Sequence, residues 1–399
     1  MPPAPPPLRP HQAIVFVVDG MGPVQRQLGS LVAGGLAMDG QKVWGLVRTG
    51  ALEAPAPDTA AACSALATGR PGRQGVLSYD DGQPVRTLLE AAREAGLGTG
   101  VVTNLTVTHA SVAGFMAHAS RHDDEDGIAH QYHSEAPDVL LGGGRRHFGD
   151  ALAGYHLVET RDALAHAPTG RLLGLFAPGA LPSDIDHPDT PSLADMTSAA
   201  LQQLAGHGFV LVVNQGRLDW ECHDHDGAAV ARDVLATDEA FKVAATFQAA
   251  HPDTLVVVVG SHETSGLAIT GDFRLAPLRA ARNSLGTVAE AIRADRAHAE
   301  TTVKTLLGWS DLTTEERESL LLASDPARAV PAPEPGNDPL VQALGRIESS
   351  RSGLAWASQE HTGDPCPLSV SGPGAGTFLG PQDAADVPRK LAHLLGLSL

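Results

Sequence analysis

The sequence predicts an α/β fold: a doubly wound, mostly parallel central sheet flanked by helices. Three observations lead there. Short apolar runs rich in β-branched residues recur along the 399-residue chain, longer helical patterns separate them, and Asp and His collect just after the runs. Strands buried on both faces need no polar alternation, and a helix that returns the chain between two of them makes their pairing parallel.

Taken in order, the chain begins with the proline-rich stretch 1–12, which reads as an extended, disordered tail ahead of one main domain over 13–399. The first strand is AIVFVV (13–18). Asp58-Thr59 then opens an Ala-rich helix that carries no charge until Arg70, a composition suited to burial. A helix over 85–96 leads to the strand TGVVT (99–103), followed by the strand DVLL (138–141). Gly142–Arg146 lacks both the GKS/T ending of a phosphate loop and the GxGxxG spacing, so it reads as a turn. A helix over 191–206 precedes the strand FVLVV (209–213), and a long helix over 226–250 precedes TLVVVV (254–259). The helices over 85–96 and 191–206 end in Gly, a common C-terminal stop. Residues from about 270 to 350 are rich in Ala, Arg and Pro and read as a less regular peripheral insertion before a final strand and a helix near 384–396.

Composition excludes several functions. Forty-six acidic against 28 basic residues give a formal charge of −18, which argues against a nucleic-acid partner. No run approaches the 18 or so apolar residues of a membrane span. Cys63, Cys222 and Cys366 form no CxxC pair, and a reduced compartment suits them. No signal-peptide pattern is visible, so the expected location is cytoplasmic unless an export signal is missing.

The chemistry is expected where open α/β sheets bind ligands, beyond the carboxyl ends of their strands. The first strand runs into Asp19, the 209–213 strand into Asp219 and His223, and the 254–259 strand into His262. Carboxylate and imidazole ligands together suit zinc, and a zinc pair suits phosphoryl transfer. Singly, each has a plainer role: Asp19 as a turn former or cap, Asp219 and His223 as an i,i+4 surface pair, His262 as a satisfied core histidine. Thr59, at a helix N-terminus that favours phosphate, offers a hydroxyl nucleophile, with simple capping as the plainer alternative.

These segments resemble the alkaline phosphatase family. The similarity runs from about 13 to 397 through VVDGMG (17–22), PDTAAACSALATG (57–69), VTHASVAGFMAH (107–118), GRLDWECH (216–223), SHETSG (261–266) and EHTGDPCPLSV (360–370). By that resemblance Asp219, His223 and His361 hold a first Zn2+. Asp19 and His262 hold a second, Asp19 also bridges to Mg2+, and Ser111 is a magnesium ligand with His109 two residues before it. Thr59 stands at the nucleophile position. The implied activity is metal-dependent hydrolysis of small phosphate monoesters through a phosphothreonine intermediate, in a chain that pairs as a homodimer.

Four departures from the family pattern stand out. The nucleophile is Thr rather than Ser; Ser261 replaces an aspartate of the second zinc; Asn214 replaces a glutamate of the magnesium site. The phosphate-clamping arginine falls on His122, with Arg121 the nearest guanidinium and hence the candidate clamp. They imply a weakened second zinc site and a lost magnesium. They also leave open a catalytically weakened phosphate-binding relative, or a phosphodiesterase or nucleotide pyrophosphatase on the same scaffold. Asp224, Asp226 and Glu263 read as solvated loop or helix-start residues, Cys222 as a buried thiol, and His118 and His133 as ordinary helix residues.

Overall fold

Every residue of the first strand, β1 (Gln12–Val18), is buried. Ala13, Val15 and Val17 join one apolar cluster while Ile14, Phe16 and Val18 join another, as the two-residue period of a strand requires. The sheet therefore has a core on each face. The computed structural model describes residues 9–399 except 136, 150, 151, 188, 329, 332 and 333. The expected tail thus lies, over 1–8, outside the described residues, and Gln12 already belongs to β1.

Nine further strands complete the main sheet: β2 (Val43–Arg48), β3 (Gly98–Thr106), β4 (Val139–Gly143), β5 (His156–Val158), β6 (Leu172–Leu175), β7 (Phe209–Gln215), β8 (Thr254–Gly260), β9 (Cys366–Ser371) and β10 (Gly380–Asp383). Their order is β10-β2-β9-β8-β1-β7-β3-β4-β6-β5. Among these strands β9 alone runs antiparallel to both neighbours. Pattern reading missed β2, β5, β6 and β10, which are short and mostly interrupted by Gly or Pro.

One face of the sheet carries α1 (Pro23–Ala33), which contributes Leu28 to the core, and the helix Leu193–Leu204, which contributes Met196. The other carries α2 (Thr59–Thr68), with Ala60 and Cys63, and the C-terminal helix Asp386–Leu395, with Leu391. All of α2 after Thr59 is buried, as its lack of charge predicts. The helix α3 (Arg217–His223) follows β7 directly, and α4 (Gly227–Ala250) packs on the same face as α1. Among the described residues no helix is long and apolar enough to cross a membrane.

The stretch 270–350 is a correction. It is not irregular: it folds into the helices Leu275–Ala280, Leu285–Ala294, Ala299–Leu307, Thr314–Ala323 and α5 (Pro339–Ser352). Side chains of Ser284, Thr313 and Asp338 cap three of them. Helices this short leave little periodicity to read, and their stability comes from burying residues such as Ile292 and Leu344 in the core. His118 is a second correction, since it lies outside the helices, between Ser78 O and Glu90.

Candidate metal centre and active site

Three adjacent central strands end level with one another. Val18 of β1 pairs with Gly260 of β8 and with Gln215 of β7, so the residues that follow emerge side by side. Asp19 N–H donates to Gln215 O and Ser261 N–H to Val18 O, which carries the alignment one residue past the strands. Gly20 then turns the chain with φ of 74°, and a Cβ there would stand 2.8 Å from Asp219 Cα. Only glycine permits both the positive φ and so close a pass of the β1 turn over α3.

Asp219 Oδ1 is the focus of the site. His361 Nε2 lies 3.3 Å away, His223 Nε2 3.6 Å and His262 Nδ1 3.8 Å. Asp219 and His223 share one face of α3 by their i,i+4 spacing, and His361 arrives on the short strand His361–Thr362, paired with Glu263–Thr264. The remaining nitrogens of two imidazoles are already engaged: His361 Nδ1 lies 2.8 Å from Pro57 O, and His223 Nδ1 contacts Gln359 O. Such carbonyl contacts fix the tautomer and aim Nε2 into the site, as in protein metal centres generally. Donor atoms of Asp219, His223 and His361 lie within 4.8 Å of one another. One buried carboxylate with two oriented imidazoles is a donor set that fits a divalent cation, zinc above all.

The electrostatics agree. Burial pushes the Asp219 carboxyl up, but His361, His223 and His262 outweigh it and hold it well below the usual carboxylate range. Burial works to lower His361, yet Asp219 raises it to about 9. His262 is driven the other way, well below an ordinary imidazole, by burial and by the neighbouring His361, on which it stacks at 3.9 Å. It is fully buried, and among the described residues its Nε2 has no hydrogen-bond partner. A bare nitrogen in the interior costs about 1–3 kcal/mol unless a ligand engages it, so a second cation beside His262 fits as well.

Around Asp19 the picture is different. Its carboxylate accepts from Ser261 Oγ at one oxygen and from Asn214 Nδ2, at 3.0 Å, at the other. Burial raises its pKa to about 6, against the hydrogen bonds of Ser111, Ser261 and Asn214. Asn214 is itself committed, donating also to Val17 O and accepting from Thr103 Oγ1 at 2.8 Å. Ser111 Oγ lies 2.9 Å from His109 Nδ1. Ser111, Asn214 and Ser261 thus surround Asp19 with neutral partners.

Thr59 is the first residue of α2, and Asp58 caps the helix by accepting from Ala61 N–H at 2.8 Å. Thr59, Asp219, His223 and His361 line one cleft of about 350 Å³, together with His109 and Trp220. Arg121 is not brought there. Its guanidinium makes a bidentate pair with Asp123 and its side chain is 75 % exposed. The one-residue offset from His122 does not bring a guanidinium into the cleft, since Arg121 points to solvent.

Three further expectations change. Asp226 and Glu263 are buried rather than solvated, and Asp224 is half-buried. Asp226 caps α4 and also accepts from Leu285 N–H; Glu263 accepts from Gln25 and Gly266. Sequence reading also missed Thr264, whose hydroxyl donates to Asp219 Oδ1. Its signal was there: Thr264 lies two residues beyond His262, the spacing that places side chains on one face of an extended segment.

A carboxylate–imidazole centre at the carboxyl edge of a doubly wound sheet, beside a hydroxyl at a helix N-terminus, defines a metal-dependent hydrolase. The chain belongs to the alkaline phosphatase family, whose sequence profile matches residues 11–397. Alkaline phosphatase 3 of Bacillus subtilis is 32% identical over 361 residues, covering 85% of this chain and 77% of that protein. Streptomycin-6-phosphate phosphatase of Streptomyces griseus is 32% identical over 346 residues, covering 68% of this chain and 77% of that protein. The crystal structure of Thermus thermophilus alkaline phosphatase superposes with a TM-score of 0.89 at 32% identity, covering 99% of this chain and 93% of that one.

Proposed function

We propose that this phosphohydrolase cleaves phosphate monoesters through a phosphothreonine intermediate on Thr59. The observation that carries the reading is the single cleft lined by Thr59 and by Asp219, His223 and His361. The name of the Streptomyces relative, a phosphatase of one monoester, supports the substrate class. Asp219, His223 and His361 would hold a first zinc, and His262 with Asp19 a second. Asp19 and Ser111 are what remains for magnesium, with the neutral Asn214 beside them. Divalent ions so bound supply positive charge that lowers the pKa of a hydroxyl and stabilises oxyanions as they develop.

The chain's own residues do the rest. The Asp58 cap fixes Thr59 at the positive end of α2, where the helix dipole favours a phosphate dianion. Thr59 Oγ attacks phosphorus, the bond to the leaving alcohol breaks, and the alcohol departs with the proton that Thr59 gives up. Water then attacks the phosphothreonine, releases inorganic phosphate and restores the hydroxyl. His223 and His361 hold their positions through Gln359 O and Pro57 O during both displacements.

The alternative of a weakened phosphate binder draws on the neutral ring about Asp19 and the outward turn of Arg121. Turnover of p-nitrophenyl phosphate with zinc and magnesium titrated in separates the two readings. We expect metal-dependent hydrolysis that Thr59→Ala lowers on the order of 100-fold or more. Retention of the full rate by Thr59→Ala would remove Thr59 from the reaction. Phosphate binding without turnover in the metal-saturated protein would favour the binder, and preference for bis(p-nitrophenyl) phosphate a diesterase.

A further inference from the structure

Thr264 stands where the two proposed cation positions meet. It follows His262 by two residues, the extended-chain spacing that puts both side chains on one face. Its backbone pairs with that of His361 in the short ladder of Glu263–Thr264 with His361–Thr362. Thr264 and His262 are both completely buried. The Thr264 hydroxyl donates to Asp219 Oδ1 and lies 3.3 Å from His262 Nδ1. Asp219 belongs to the first position and His262 to the second, so one hydroxyl touches a ligand of each.

A hydroxyl carries a single hydrogen, and a carboxylate oxygen only accepts. With that hydrogen committed to Asp219, Thr264 Oγ1 has only lone pairs to offer His262. The hydrogen between them is then the one on Nδ1, and Nε2 is left bare. Among the described residues no other acceptor lies as close to Nδ1, since Asp219 Oδ1 is 3.8 Å away. The other tautomer would bury an Nε2–H with nothing among the described residues to receive it, and would remove the lone pair that a cation needs.

We infer that Thr264 is a positioning residue that prepares His262 as a ligand of the second cation: by accepting from Nδ1–H while donating to Asp219, it holds the imidazole in the tautomer whose Nε2 is free. This rests on the two-cation reading above. The same hydroxyl steadies Asp219, so the two positions share one support.

Calorimetric zinc titration of the full chain, stripped of metal beforehand, reads both positions without turnover. Thr264→Val keeps the shape of the side chain and removes the hydroxyl, whereas Thr264→Ser keeps the hydroxyl. Valine should weaken the zinc that His262→Ala removes by about 10- to 100-fold, the usual cost of losing an outer partner of a metal ligand, and serine should stay within about 3-fold of the wild type. NMR of the metal-free chain with nitrogen-labelled histidines, the His262 signal assigned by its loss in His262→Ala, reports the tautomer directly. His262 should carry its hydrogen on Nδ1 in the wild type and in Thr264→Ser, and should no longer be fixed in that form in Thr264→Val. The wild-type tautomer needs no variant of Thr264, so it decides even if the valine chain does not fold. A hydrogen on Nε2 in the metal-free wild type, unchanged zinc affinity in Thr264→Val, or a serine variant as weak as the valine one overturns the inference and leaves the phosphatase reading standing. A wild type that takes up no second zinc removes the second position and this inference with it. The expected affinities and tautomer without hydrolysis of p-nitrophenyl phosphate would support this inference and remove the phosphatase reading instead.

Discussion

Asp19 shows how one side chain can be served by neutral partners where a charged one is expected. Ser261 Oγ and Asn214 Nδ2 donate to its two oxygens, and burial alone would push its carboxyl further up than about 6. Replacing Ser261 by Asp would set a second carboxylate against the first in a buried space. Without a cation the two repel; with one they form a stronger donor set. We therefore expect Ser261→Asp to lower the Tm of the metal-free protein and to tighten zinc binding at the proposed second position. Calorimetric zinc titration alongside thermal melts checks both. Unchanged melting together with unchanged zinc affinity would mean that position 261 does not face the second metal. At this scale the sequence showed which residues stand at the strand ends. It did not show the hydrogen bonds of Asn214 to Val17 O and Thr103, because those partners come from two other strands.

Among the elements, the junction of α4 with α5 carries its own electrostatic load. Glu348 Oε2 accepts from Gly227 N–H and Ala228 N–H at the start of α4, and Asp226 caps the same turn. Two buried carboxyls therefore meet at one helix N-terminus. Burial raises Glu348 to about 7 despite those hydrogen bonds, and the charge of Glu348 adds to the effect of burial on Asp226. A carboxyl raised on folding binds its proton more tightly in the native state. Stability from this group is present below its unfolded value, near 4.5, and is lost as pH rises through about 7. Glu348→Gln keeps an acceptor for the two N–H groups and removes the charge. It should flatten the fall in stability between these pH values and leave the variant more stable by roughly 1–2 kcal/mol above pH 8. Urea unfolding at about pH 5 and pH 8.5 reads this. A variant less stable than wild type at the higher pH would show that the charged form is the one the helix needs. Neither partner is legible alone: Asp226 looks like any cap and Glu348 like any helix surface residue, until α5 packs against α4.

Over the whole molecule, a cation held as proposed at Asp219, His223 and His361 would tie α3 to the His361 strand, and one at Asp19 and His262 would tie the turn after β1 to the segment just past β8. Ligands drawn from segments so far apart come together only in the folded chain, so metal binding should add directly to stability. A cation present at about a thousand times its Kd contributes about 4 kcal/mol. For a chain of this length that corresponds to roughly 5 °C in Tm. Chelation should lower Tm by that order, and His361→Ala should abolish most of the shift. A melt indifferent to chelator in the metal-reconstituted protein would count against a cation at Asp219.

The sequence by itself determined the strands with long apolar runs, the buried character of α2, and the arrival of Asp19, Asp219 and His262 just past three strands. Those features follow from local periodicity and from the rule that ligands gather at the carboxyl edge of an α/β sheet. Only the tertiary structure decided that these three strands are neighbours and end level, that Arg121 turns to Asp123, that Asp226 and Glu263 are buried, and that 270–350 is helical and supplies part of the cleft wall. Each depends on what another stretch of chain places alongside, and the tautomers of His223 and His361 depend on backbone carbonyls at Gln359 and Pro57. Periodicity reports which face a residue takes, whereas its partners and its charge state are set by the surfaces that close over it.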